Sequence, residues 1–170
     1  MAVENKYTDS LIVGSTVTKL LSSLGQGAKL TVLHATFAIA AADDDGSVYR
    51  VFKAVNGNLI PLYCVIGCDA ITGGTSFDLG VYKTDLGAVV DKDIFMAAQT
   101  LATAVLPGPI TGINGLSAVS VANRGKTIWE LVPHTGPTQL AEGYDIAVTA
   151  NTVGTAAGNV SVLMLCAQGA

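Results

Sequence analysis

The chain has 170 residues, enough for one ordinary domain with a full core and too few for two. Half of its residues are hydrophobic, 13% are charged and the mean hydropathy is +0.51, an apolar balance when soluble domains carry about 25% charged residues. No apolar run reaches the roughly 18 residues of a membrane-spanning helix, and a net charge of −4 with nine scattered basic residues argues against nucleic acid as a ligand.

The excess apolar surface is either packed into a core rich in small Ala and Val or hidden against other protein in an assembly. The first 28 residues, MAVENKYTDSLIVGSTVTKLLSSLGQGA, open on a polar stretch without the pattern of a signal peptide. They read as an N-terminal arm, with one strand or a short helix at 16–24, set apart from a main domain over 29–170. Leu11, Ile12, Val13, Leu20 and Leu21 would be a liability on a free surface. With Tyr7 they are the candidate contacts to a larger assembly or to neighbouring copies, by strand addition to an exposed sheet edge. The alternative makes this segment the first strand of its own sandwich.

Residues 30–41, 48–55 and 59–68 read as three strands separated by Asp45-Gly46 and Asn56-Gly57. Both dipeptides accept the positive φ of a tight hairpin turn, so an antiparallel meander is expected. SFDLGVYK, 76–83, supplies a fourth strand, with Phe77, Leu79 and Val81 on a buried face and Asp78, Gly80 and Tyr82 on the other. Residues 93–105 place Ile94, Ala98, Leu101 and Val105 at helical spacing before Pro107-Gly108-Pro109. They form either a short helix or an irregular crossover, Thr100 and Thr103 being poor helix formers. TIWELV at 127–132, YDIAVTA at 144–150 and NVSVLMLCA at 159–167 read as later strands. The last is apolar on both faces, as a central or interface strand would be, and the turn-rich 154–158 joins it to its predecessor as a hairpin. Seven or eight short strands with little helix predict an all-β antiparallel sandwich, a jelly roll with at most one short helix. An immunoglobulin-like sandwich is the alternative, without its Cys, Trp, Cys spacing.

The search for chemistry centres on 69–95, which holds five aspartates: Asp69, Asp78, Asp85, Asp91 and Asp93. Four fall at element ends, where Asp side chains bond backbone amides, so turn and cap duty is the reading. A glycoside hydrolase would need two of them facing one cleft. ADDDGS at 42–47 imitates part of a calcium loop through Asp43, Asp45 and Gly46, yet lacks the later ligands, and a charged hairpin tip is preferred. On one strand Cys64 and Cys68 lie about 13 Å apart, too far for one zinc unless Cys166 or His34 joins from across the sheet. The odd cysteine count fits buried free thiols in a reducing compartment. His34 and His134 form no ordered set with Ser and Asp, and Trp129 reads as core rather than as a sugar platform. No catalytic, metal or cofactor residue is assigned, and the chain is expected not to be an enzyme.

DGSVYRVFKAV, ITGGTSFDLGVYKTDLGAVVDKDIF, IWELV and GYDIAVTANTVGTAAGNVSV together, spanning about residues 45–165, resemble the capsid decoration or cement proteins of tailed bacteriophages. The resemblance implies a virion structural protein with a β-sandwich or jelly-roll module on the capsid exterior. It implies as partners the major capsid protein and copies of itself, often as a homotrimer, with neither nucleic acid nor membrane, and synthesis in the host bacterial cytoplasm. A carbohydrate-binding or receptor-binding virion adhesin, part of a tail or head fibre, is the alternative; a minor hydrolase is a weaker one.

Overall fold

Along Leu30–Ile39 the side chains of Leu33, Ala35, Phe37 and Ile39 are buried, while those of His34, Thr36 and Ala38 are exposed. That two-residue period is a strand with one face on a core. The computed structural model describes residues 5–7, 30–108, 111–132 and 143–168. It holds β1 (Asn5–Tyr7), β2 (Leu30–Ile39), β3 (Ser47–Val55), β4 (Leu59–Cys68), β5 (Ser76–Tyr82), β6 (Val89–Gln99), β7 (Ile113–Asn114), β8 (Tyr144–Thr152) and β9 (Gly158–Gln168). A four-residue helix, α1 (Ile128–Leu131), and a 3-10 turn (Val121–Asn123) are the helical elements among the described residues.

One sheet has the order β1-β3-β8-β5-β6 and the other β2-β9-β4-β7. Every pairing is antiparallel except that of β1, which runs parallel to β3 with Tyr7 beside Arg50. The interleaved orders β3-β8-β5-β6 and β2-β9-β4-β7 are those of a jelly roll, two Greek keys folded into one sandwich. The core lies between the sheets, where Phe37 of β2 stacks on Tyr49 of β3 at 5.0 Å between ring centroids. The Tyr49 hydroxyl donates to Asp43 Oδ2 at 2.7 Å, and burial, reinforced by that carboxylate, pushes its pKa far above the usual phenol range. As expected, β9 is central: Val160, Val162, Met164 and Cys166 face the core between β2 and β4.

Three expectations about local connections fail. β2, β3 and β4 do not form a meander, because β3 belongs to the opposite sheet. The turns at Asp45-Gly46, where Gly46 has φ +88°, and at Asn56-Gly57 are tight as read, but they turn corners between sheets. β8 and β9 likewise lie in different sheets and are not a hairpin. Turn chemistry specifies a reversal. Which partner a strand then takes depends on the longest satisfactory register, and β2 finds ten unbroken pairs with β9.

Two element assignments also change. Of residues 93–105, 93–99 belong to β6, since the β5 edge offers backbone partners that helical spacing does not reveal, and 100–105 form an irregular crossover to β4 of the other sheet. Residues 127–132 are not a strand. Thr127 caps α1: its hydroxyl accepts from Glu130 N at 3.2 Å, and Glu130 Oε2 accepts from Thr127 N at 2.8 Å. The T-x-x-E spacing of this reciprocal cap was visible in the sequence and outranks the β-like composition of TIWELV.

Candidate interaction surface

Of the aspartates of 69–95, Asp69, Asp78 and Asp91 accept from backbone amides. Asp69, just past β4, accepts from both the backbone N and Nδ2 of Asn159 at 2.9 Å, which holds its carboxyl below the usual range and ties β4 to the start of β9. Asp85 sits with Leu86 in the β5–β6 turn, both at positive φ. Asp91 and Asp93 meet on the β6 bulge, where partial burial and then the neighbouring carboxylate raise the Asp91 pKa. The second face of β5, which the alternation left either wet or in contact, is in contact at Asp78. Asp78 is 3% exposed, accepts from Ala98 N at 2.8 Å and Asn151 Nδ2 at 2.7 Å, and pairs with Lys92 Nζ at 3.2 Å.

The outer face of β5 is covered because β6 bulges over it. Between the pairs Leu79–Met96 and Val81–Asp91, two residue steps on β5 oppose five on β6. The extra backbone lies on Gly80, where a Cβ would stand 2.2 Å from Asp91 O. Beside it Arg50, fully buried, donates from Nη1 to Lys83 O (2.7 Å) and Asp145 Oδ2 (3.1 Å) and from Nη2 to Gly87 O (2.7 Å), with Tyr82 under its guanidinium at 4.8 Å. Asp145 Oδ1 accepts from Ala54 N at 2.9 Å. This polar layer pins the β5–β6 turn on the sheet, and the sequence search missed it. Arg50 lies within alternating apolar residues, a pattern that announces a strand but not an internal ion pair.

ADDDGS is a corner between the two sheets rather than the tip of a hairpin. Asp43 Oδ2 also accepts from Ala40 N at 3.0 Å, and Asp45 Oδ1 accepts from Val153 N at 2.9 Å, so both carboxylates brace loops. Among the described residues no three of His, Cys, Asp and Glu converge. Cys64, Cys68 and Cys166 are reduced and point into the core, whereas His34 points out of the same sheet. Burial pushes the Cys166 thiol up to about 12 and Cys64 higher still. Alkylation by iodoacetamide at pH 8 is therefore expected to leave Cys64 and Cys166 unmodified in the native protein and to label all three cysteines in denaturant without reductant, read by intact mass. Rapid native labelling of Cys166 would contradict the packing of β9.

Trp129 is partly buried against the core, its backbone N–H on Gly57 O at 2.9 Å. His34 Nε2 and Ser161 Oγ are 3.1 Å apart on the outer face of the second sheet, in a groove whose lining includes no carboxylate to complete a triad. Tyr7 ends β1; Leu11, Ile12, Val13, Leu20, Leu21, Pro109 and His134 lie outside the described residues.

The sheet β2-β9-β4-β7 differs in charge from the sheet it faces. Those four strands contain no Asp, Glu, Lys or Arg, whereas β3, β5, β6 and β8 carry Arg50, Lys53, Asp78, Asp91, Lys92, Asp93 and Asp145. A groove of about 390 Å³ runs over the uncharged face, lined by His34, Tyr63, Val65, Pro107, Ser161 and Leu163, with Gly108 at one end. A second of about 150 Å³ shares Pro107 and Ser161 and reaches Leu106, with Asp69 at its rim. Gly67 makes this relief possible: Pro107 lies on its backbone, where a Cβ would meet Pro107 Cδ at 2.5 Å.

A solved structure has the same jelly-roll architecture. A chain in the capsid of Ralstonia phage GP4 superposes with a TM-score of 0.59 and 17% identity over 98% of this chain and 99% of that one. The two share a fold from end to end. A chain of the cyanophage Pam1 capsid asymmetric unit gives a TM-score of 0.46 and 15% identity over 83% of this chain and 86% of that one. No family model matches the sequence, and no curated protein matches it significantly.

Proposed function

We propose that this chain is a structural, non-enzymatic protein of a tailed-phage virion, a decoration or cement protein that binds the outside of the head and braces the major capsid lattice. The observation that carries this reading is the end-to-end fold shared with a chain from a phage capsid, and the uncharged sheet face supports it. The major capsid protein and copies of the chain itself, as a homotrimer, are the partners. Neither nucleic acid nor membrane is one, and no helix among the described residues is long and apolar enough to cross a membrane. The chain is made in the host bacterial cytoplasm and ends on the capsid exterior. Its action is thermodynamic: a protein that binds only the expanded lattice stabilises that lattice by mass action, without chemistry.

Residues 1–28 serve as the arm and 29–170 as the sandwich domain, with Tyr7, Leu11, Ile12, Val13, Leu20 and Leu21 as the arm's contacts. Expanded heads lacking the protein, mixed with purified chain and sedimented, are expected to bind it at fixed stoichiometry and to survive heating better. A variant lacking 1–28 is expected to melt cooperatively yet lose at least about tenfold in head affinity, since each such factor is only about 1.4 kcal/mol of contact. Full occupancy by the truncated chain would remove the arm as anchor. Failure of the intact chain to bind heads, with selective retention on a glycan array, would replace this reading by the adhesin one.

A further inference from the structure

We infer that the uncharged outer face of β2-β9-β4-β7 is the surface on which a second copy of this chain docks, with Leu106 of one copy seated in the groove beside Pro107 of the next. The inference deepens the proposal that copies associate by naming the face and the side chain that do it.

Leu106 is 79% exposed, yet the segment that carries it is firmly held. On one side Val105 exchanges two backbone hydrogen bonds with Cys68, both 2.8 Å. On the other, Pro107 is laid on Gly67, Thr111 Oγ1 donates to Leu106 O at 3.2 Å, and Gly112 N donates to Gly108 O at 2.8 Å. The leucine is thus presented outward on a fixed backbone, so little freedom remains to be lost when it is buried.

The knob and the hole share a wall, because Pro107 follows Leu106 in the chain and lines the 390 Å³ groove. One face therefore supplies both halves of an apolar contact, as the self-complementary surface of a two-fold pair does. Charge permits the contact on this face. Copies of a chain with net charge −4 repel; pressing together the faces whose strands bear no charge leaves the charges of β3, β5, β6 and β8 on the far sheet.

The test is the oligomeric state of the purified full chain by sedimentation velocity across a concentration series, which does not involve heads. The intact chain is expected to self-associate. Leu106→Asp, which drives a carboxylate into the groove, is expected to weaken association on the order of 100-fold with an unchanged circular dichroism spectrum. Ser161→Arg, which fills the groove and leaves the knob, is expected to do the same and stands in if the first variant misfolds. Val121→Asp, at a valine 91% exposed outside this face, should leave association unchanged. A monomeric intact chain, association undiminished in both groove variants, or an equal loss in Val121→Asp would each overturn the inference. Head binding by a monomeric Leu106→Asp chain would leave the proposed function standing, whereas loss of head binding by an intact oligomer would not touch this interface.

Discussion

Replacing Arg50 with methionine is expected to destabilise the fold by about 3–5 kcal/mol, the usual cost of removing one partner from a buried ion pair. At this chain length that corresponds to roughly 6–20 °C in melting temperature. Arg50 is fully buried and Asp145 is 1% exposed, so the orphaned carboxylate would keep only the Ala54 amide among the bonds described above. The carbonyls of Lys83 and Gly87 would lose their donor at the same time, freeing the β5–β6 turn that Arg50 clamps. A paired change, Arg50→Met with Asp145→Leu, should recover much of the loss, because no charge is then left buried. Equilibrium unfolding in guanidinium of the three proteins checks both statements. A single-variant loss below about 1 kcal/mol would mean that the layer is reached by water and is no internal ion pair.

Gly80→Val is expected to be about as damaging, near 3 kcal/mol or more, through sterics alone. The nearest atoms to a Cβ at this position are Asp91 O and Lys92 C at 2.2 Å and Lys92 O at 2.3 Å, all backbone. No rotamer change relieves such a contact; the β6 bulge itself must lift, and the Asp78–Lys92 pair and the Asp78–Ala98 bond lift with it. Hydrogen exchange should show the damage confined first to β6 and the 83–88 turn, with β2, β4 and β9 still protected. Uniform loss of protection across both sheets would show that the bulge is integral to the whole sandwich rather than a cover laid on it. Even Gly80→Ala should cost more than a methyl group does at an ordinary strand position.

Local physics accounts for most of what could be read without coordinates. Strands β2, β3, β4, β5, β8 and β9 were legible because alternation at period two and β-branched content are properties of a few adjacent residues. Both corner turns were legible from Asp-Gly and Asn-Gly, although of the four residues only Gly46 takes the positive φ expected there. The turn and end positions read for Asp69 and Asp85 were legible, whereas Asp91 and Asp93 fall inside β6. The helical spacing seen in 93–105 misled because Ile94 and Ala98 also suit an irregular strand, while Leu101 lies beyond its end, and the α1 cap was overlooked although Thr127 and Glu130 announced it.

Pairing was not local, and there the fold had to decide. Whether β3 lies beside β2 or across the core from it depends on β8, nearly a hundred residues later in the chain, and no turn dipeptide carries that information. Arg50 and Asp145 become a buried pair only because β3 and β8 are neighbours and the 83–88 turn closes over them. The uncharged composition of β2, β4 and β9 was in the sequence from the start. That they lie together in one sheet, with Pro107 laid on Gly67 and Leu106 held outward above a groove, follows from long-range register, since side chains far apart in the chain form a surface only after the backbone has brought them to one face.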